Sequence, residues 1–235
     1  NSSKIRSTKL SNNFFGAFLM GLTMLCFVSN DALMKLMFKS VSVEQGIFVR
    51  GLFAVPLIAI FAHMRKDLFI RLDRNDFYLV LARSGAELAA TVFFLEALSK
   101  MPLANVTAIL QVLPLTLTMF AAIFFRETVG WRRWFAILFG LLGVFIIIRP
   151  GAEGFNSYAI LALICVVFVT IRDAITNKLS SKVPSLYVAL LSSLPVFIYG
   201  FIATSISGWS SLNSEMWSIF FIMAFAVMGG YLFSV

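Results

Sequence analysis

Eight apolar stretches follow one another along this 235-residue chain, joined by short polar connections: 14–37, 45–63, 77–99, 103–125, 134–149, 158–177, 185–206 and 217–235. Crossing a hydrocarbon layer takes about 20 apolar helical residues, so each stretch is read as a membrane span. Charged residues make up only 13% of the chain and hydrophobic ones 60%, too little polar surface for a soluble domain of this length. A transmembrane barrel would alternate apolar and polar residues, and runs such as "FGLLGVFIII" do not. The expected fold is an all-α multi-helix bundle in a membrane.

The net charge of +8 invites a nucleic-acid reading, but the placement of the charges argues against it. Thirteen of the 19 Lys and Arg lie in the N-terminal tail and in "HMRKDLFIRLDRND", "RETVGWRR" and "RDAITNKLSSK". The alternate connections hold Lys39, Lys100 and Arg149, and three more cations lie within spans. This asymmetry is the positive-inside pattern, so the N-terminus is expected in the cytoplasm of a cell (inner) membrane protein, with odd-numbered spans running outward. The basic tail precedes a full-length span, unlike a cleavable signal peptide. Cys26 and Cys165 fall within spans and read as buried apolar side chains.

There is a trace of internal duplication. "FVSNDALMKLMFKSVS" followed by "FVRGLFAVPLI" recurs loosely as "FVTIRDAITNKLSSKVPS" and "YVALLSSLPVFI", with Pro56 against Pro195. A five-helix first unit would start the second in the opposite orientation. Inverted repeats of that kind build many secondary transporters, with the substrate site near the midplane.

Residues 96–151 carry a more specific signal: Ala97-Leu98, Pro102-Leu103-Ala104, Pro114, Glu127, Gly140, Gly143 and the closing Arg149-Pro150-Gly151. This segment resembles the end of an EamA repeat, the building block of the drug/metabolite transporter superfamily. The resemblance implies ten helices in two inverted five-helix repeats around a central cavity for a small metabolite. Residues 10–151 then form the first repeat and 152–235 an incomplete second one. The expectation is a fragment lacking helices nine and ten, with a natural eight-helix form as the alternative.

Intramembrane charges are the candidate functional residues. Counted from Asp76, Arg83 lies roughly 10 Å and Glu87 roughly 16 Å along the third span, which puts Glu87 near the midplane. An ionised group there costs at least about 2.5–3.5 kcal/mol, so it needs a partner and a protein-facing or wet surface. Their i,i+4 spacing lets them pair. They either line a substrate cavity or form a structural ion pair. On the fourth span, Thr107, Gln111, Pro114 and Thr118 share one helical stripe that would supply an opposing wall, with the two threonines alternatively bonding their own helix. Pro114 also frees a backbone carbonyl. Asn30, Asp31, Lys35 and Arg50 are expected as an outer gate, and Arg172 and Asp173 as an inner one. Snorkelling to the interface is the simpler reading of Lys35 and Arg172. Tyr231, beside Gly229 and Gly230, is a further candidate for the cavity.

No HExxH, GxSxG, P-loop or CxxC occurs, so no cofactor or metal is expected. The reading is a non-enzymatic secondary transporter for a small polar or amphipathic metabolite, with protons as the candidate coupling ion. The competing classes are a lipid-modifying membrane enzyme and a non-transporting membrane scaffold.

Overall fold

The computed structural model describes residues 2–67, 72–126, 128–148 and 158–233, with the side chains of 2–15, 17, 147–148 and 231–233 left out of the description. Among the described residues every regular element is a helix. The order is α1 (Ser2–Met37), α2 (Val43–Met64), α3 (Arg74–Lys100), α4 (Leu103–Leu110), α5 (Leu113–Phe124), α6 (Trp131–Ile148), α7 (Ala159–Thr176), α8 (Ser185–Ser207) and α9 (Ser214–Phe233). All eight expected spans are helical, and the fourth is divided into α4 and α5. Counting those two together, six spans among the described residues are long and apolar enough to cross a membrane, while the apolar part of α9, Ser214–Gly230, is shorter. The protein is a multi-pass membrane helical bundle.

Pro114 explains the divided span. It sits at the start of α5 and has no N–H to give the Leu110 carbonyl one turn earlier, so the regular ladder stops there. Across the gap the backbone tightens to three-residue bonds, Val112 to Ile109 and Leu115 to Val112. Proline inside α8 acts differently. Pro195 frees the Leu191 carbonyl, and the buried Ser84 hydroxyl of α3 lies 3.4 Å from it. The helix therefore continues across the defect.

Exposure is inverted relative to a soluble protein. Phe139, Phe145 and Ile146 of α6, Phe201 and Ile206 of α8 and Phe221 and Phe225 of α9 are exposed, whereas Asn30, Gln45, Asp76, Ser84, Thr170 and Ser192 are buried. The outside suits hydrocarbon, and the inside collects the groups that hydrocarbon would penalise.

The principal helix partners are α2 with α8, α3 with α7 and α1 with α9, followed by α3 with α8 and α2 with α9. The crossing of α2 and α8 relies on two glycines. A Cβ at Gly51 would come 2.7 Å from the Phe197 ring, and one at Gly200 would come 2.7 Å from the Phe48 backbone nitrogen. Neither position has room for a side chain, so the two backbones approach closely.

Two apolar clusters separate the ends of the bundle from its middle. Met34, Ile47, Leu95, Leu98, Phe220 and Met223 fill the end where α3 finishes. Ile58, Ala62, Leu186, Leu190 and Met228 fill the opposite end. Polar ties fasten both. Gln45 exchanges two bonds with the Ser210 backbone, at 2.8 and 3.0 Å, linking the start of α2 to the α8–α9 connection. Asp76 accepts from the Ser180 N–H at 3.2 Å, linking the start of α3 to the α7–α8 connection. Between the two clusters lies a cavity.

Candidate functional site

Glu87 is the thirteenth residue after Arg74 and the thirteenth before Lys100, the midpoint of α3. At 1.5 Å per residue it stands roughly 20 Å from either end. Its carboxylate meets two guanidiniums. Arg83, one turn earlier, approaches to 3.8 Å, and Arg172 of α7 approaches to 3.3 Å. Arg172 also holds Asp173 at 2.8 Å. Arg83 donates to Thr176 Oγ1 at 2.9 Å and to the Ser192 hydroxyl of α8. Two arginines and two carboxylates thus form a chain of formal charge zero, tied to hydroxyls on two neighbouring helices.

The capture of Arg172 corrects the snorkelling expectation. Arg172 lies four residues before the end of α7, close to the interface that the sequence pattern assigns to it. Helical side chains lean toward their helix's N-terminus, and here that direction leads away from the nearby end and back to mid-bundle. The carboxylate of Glu87 waits there, so the guanidinium is neutralised inside the bundle rather than hydrated outside it.

The central cavity measures about 310 Å³ and is lined from α1, α2, α3, α7 and α8, with Leu110, Leu113 and Val227 completing the wall. Among the described residues five formally charged ones reach it: Asp31, Arg50, Arg83, Glu87 and Arg172. Asn30 lines it as well and donates its amide nitrogen to Asp31 Oδ1 at 3.1 Å, and Arg50 lies within electrostatic reach of the same carboxylate. Phe27, Phe94 and Phe197 add aromatic surface, and Thr91, Ser192 and Ser193 add hydroxyls. On the side where α3 ends, Phe48 stacks against Phe197 at 5.4 Å and meets Trp209 edge-on at 6.2 Å. The cavity has the size and the mixed charged and apolar lining of a small-molecule pocket.

A family model described as the EamA-like transporter family matches residues 14–149, more than half of the chain. The chain belongs to the EamA-like transporter family. Relatives include a riboflavin transporter of Vibrio cholerae, 32% identical over 55% of this chain and 44% of that protein. A Rickettsia bellii S-adenosylmethionine uptake transporter is 27% identical over 46% of this chain and 35% of its own length. The pseudopaline exporter CntI of Pseudomonas aeruginosa is 23% identical over 71% and 58%. The chain spans about half the length of these relatives. Of the residues that resemble an EamA repeat, Glu127 and Arg149-Pro150-Gly151 lie outside the described residues.

Within this EamA-type bundle the predicted site residues divide. Arg83, Glu87, Asn30, Asp31, Arg50 and Arg172 converge on one cavity, so residues expected at two separate gates share a chamber. Asp173 reaches it only through Arg172. Lys35 does not line the cavity. Its ammonium caps the end of α3, donating to the Leu98 and Ser99 carbonyls at 2.7 and 3.0 Å. That contact takes Lys35 out of the outer gate expected for it, because helix-terminal carbonyls left without donors attract a cation.

The stripe proposed on the fourth span is likewise absent from the cavity wall. Gln111 and Pro114 are exposed at the break, and Thr107 and Thr118 bond the Leu103 and Pro114 carbonyls of their own helices. On α4 the buried side carries Val106 and Ile109, and Leu110 and Leu113 line the cavity, so the stripe through Thr107 and Gln111 lies on another face of the helix. Tyr231 lies among the side chains outside the description. Sequence reasoning missed Ser192 and Ser193. The signal was the "LSSLP" run, where paired serines precede a helix-interior proline.

Proposed function

We propose that this chain forms the cargo cavity of a secondary active transporter that moves a small polar or amphipathic metabolite by alternating access. The cargo class is amino-acid-like, nucleoside-like or vitamin-like, and protons are the coupling ion. The observation that carries the reading is the chamber of about 310 Å³ between two apolar clusters, with charged, hydroxyl and phenylalanine side chains on its walls. Ion pairs without a chamber would suit a scaffold. The relatives named for riboflavin, S-adenosylmethionine and pseudopaline support a metabolite cargo.

The proposed arrangement is two inverted repeats, 10–151 and 152–235, in the cell membrane with the N-terminus cytoplasmic. Exchanging α1 with α7, α2 with α8 and α3 with α9 turns the α3–α7 contact into α9–α1 and the α3–α8 contact into α9–α2. The α2–α8 contact maps onto itself, and all five are among the principal contacts of the bundle. That correspondence supports an in-plane pseudo-twofold axis through the α2–α8 crossing. Alternating access would rock the two sets of helices about this crossing, with the Arg83–Glu87–Arg172 network bridging α3 and α7.

The test is accumulation of labelled metabolites in proteoliposomes against protein-free liposomes, with and without an imposed pH gradient. Accumulation driven by the gradient is the expected result. Equal counts in both vesicle types across amino acids, nucleosides and vitamins would refute the transporter reading.

A further inference from the structure

Among the described residues one buried side-chain polar atom has no hydrogen-bond partner in the protein, the amide oxygen of Asn30. Asn30 is 2% exposed and lines the central cavity. Its orientation is fixed chemically. The amide nitrogen donates to Asp31 Oδ1 at 3.1 Å, and the flipped amide would set two acceptors against each other. The oxygen is therefore the end of the amide left over for something else. An acceptor buried in this way destabilises the protein, and a leucine of similar volume would avoid the cost.

We propose that the Asn30 amide oxygen determines cargo specificity by accepting a hydrogen bond from an N–H or O–H group of the transported molecule. The Asp31 carboxylate beside it accepts a second hydrogen bond from the same group or from its neighbour. The inference rests on the cavity being the cargo site and narrows the cargo to molecules that present a donor at that wall. Phe27, one turn before Asn30 on α1, also lines the cavity and gives the apolar part of such a molecule a surface. The other polar feature of the wall is the Arg83–Glu87–Arg172 network, whose guanidiniums already engage Glu87, Asp173, Thr176 and Ser192. It suits a dipolar or neutral cargo better than a strong anion, because the network carries no surplus charge when Asp173 is counted.

Selectivity follows from the same asymmetry. A site built around a buried acceptor rejects an analogue that lacks the donor far more strongly than one that lacks a methylene, because the acceptor is then left unpaired. Three probe pairs differ in this property: phenylalanine and its N,N,N-trimethyl betaine, uracil and 1,3-dimethyluracil, nicotinamide and N,N-dimethylnicotinamide. Binding is read by thermal shift of the purified protein and transport by accumulation in proteoliposomes. For at least one pair the donor-bearing member should be favoured by about tenfold or more.

In Asn30→Leu that preference should shrink to within about twofold. A merely structural role would weaken both members alike and leave the ratio unchanged. Should Asn30→Leu not assemble, Asn30→Ala also removes the amide oxygen and reads the same ratio. An unchanged ratio in the variant overturns the proposal, since another donor such as a water then satisfies the oxygen. So does the absence of discrimination within every pair. Discrimination in binding without accumulation would uphold the acceptor and sink the transport reading, and accumulation without discrimination would do the reverse.

Discussion

Neutralising Glu87 tests the site most directly, because its carboxylate is shared by two cations. At an effective dielectric constant of 20, separations of 3.3 and 3.8 Å correspond to gross attractions of about 5 and about 4 kcal/mol. Desolvation offsets much of this, and removing one member of a buried pair typically costs about 3–5 kcal/mol. The side chains here keep 14–25% exposure, which favours the lower bound. Glu87→Gln takes the four-residue network from zero to +1 and leaves two guanidiniums on an uncharged amide. We expect a loss of about 3 kcal/mol, or a fall in Tm of roughly 6–12 °C for a chain of this size, read by thermal unfolding in detergent. Adding Arg83→Gln returns the network to zero, because Arg172 keeps Asp173 at 2.8 Å. The double variant should regain at least half of the lost Tm. Additive losses in the cycle would refute the shared-charge argument. Transport responds differently: the double variant should stay inactive, because Glu87 lines the cavity. Recovery to near the parent rate would reduce Glu87 to a structural partner of Arg83.

The other predictions follow from packing and topology. Gly200→Ala places a Cβ against the Phe48 backbone and should cost about 1–3 kcal/mol, whereas Gly85→Ala, with nothing within 4 Å, should hold or raise Tm, as paired melts will show. Single cysteines at Lys66 and Ser181 should resist an impermeant thiol reagent in intact cells while one at Leu212 reacts, and the reverse pattern would overturn the proposed orientation. Lys35→Met should lower Tm by exposing the need for donors at the Leu98 and Ser99 carbonyls, and Gln111→Ala should not. Both should transport within about twofold of the parent per folded molecule, and a larger loss in Gln111→Ala would restore the fourth-span wall.

Local chemistry wrote much of this fold into the chain. Apolar length sets the spans, and the prohibition on bare backbone in hydrocarbon makes them helices. Depth counting placed Glu87 at mid-membrane because helical rise is constant, and the i,i+4 rule gave its contact with Arg83. These depend on nothing beyond one helix. The partners on other helices depend on crossing, rotation and lean. Arg172 looked interfacial because sequence gives the position of its Cα and not the direction of a long side chain, and only the packing of α7 on α3 turned it toward Glu87. Gln111 looked like a cavity residue because periodicity shows which residues share a face and not which face turns inward, and α4 buried Val106 and Ile109 instead. Lys35 left the expected gate for carbonyls 63 and 64 residues away. Sequence determines which charges must be buried, since burial is a matter of span and depth. Which charges meet is a matter of how helices cross, and that was decided only when the bundle closed.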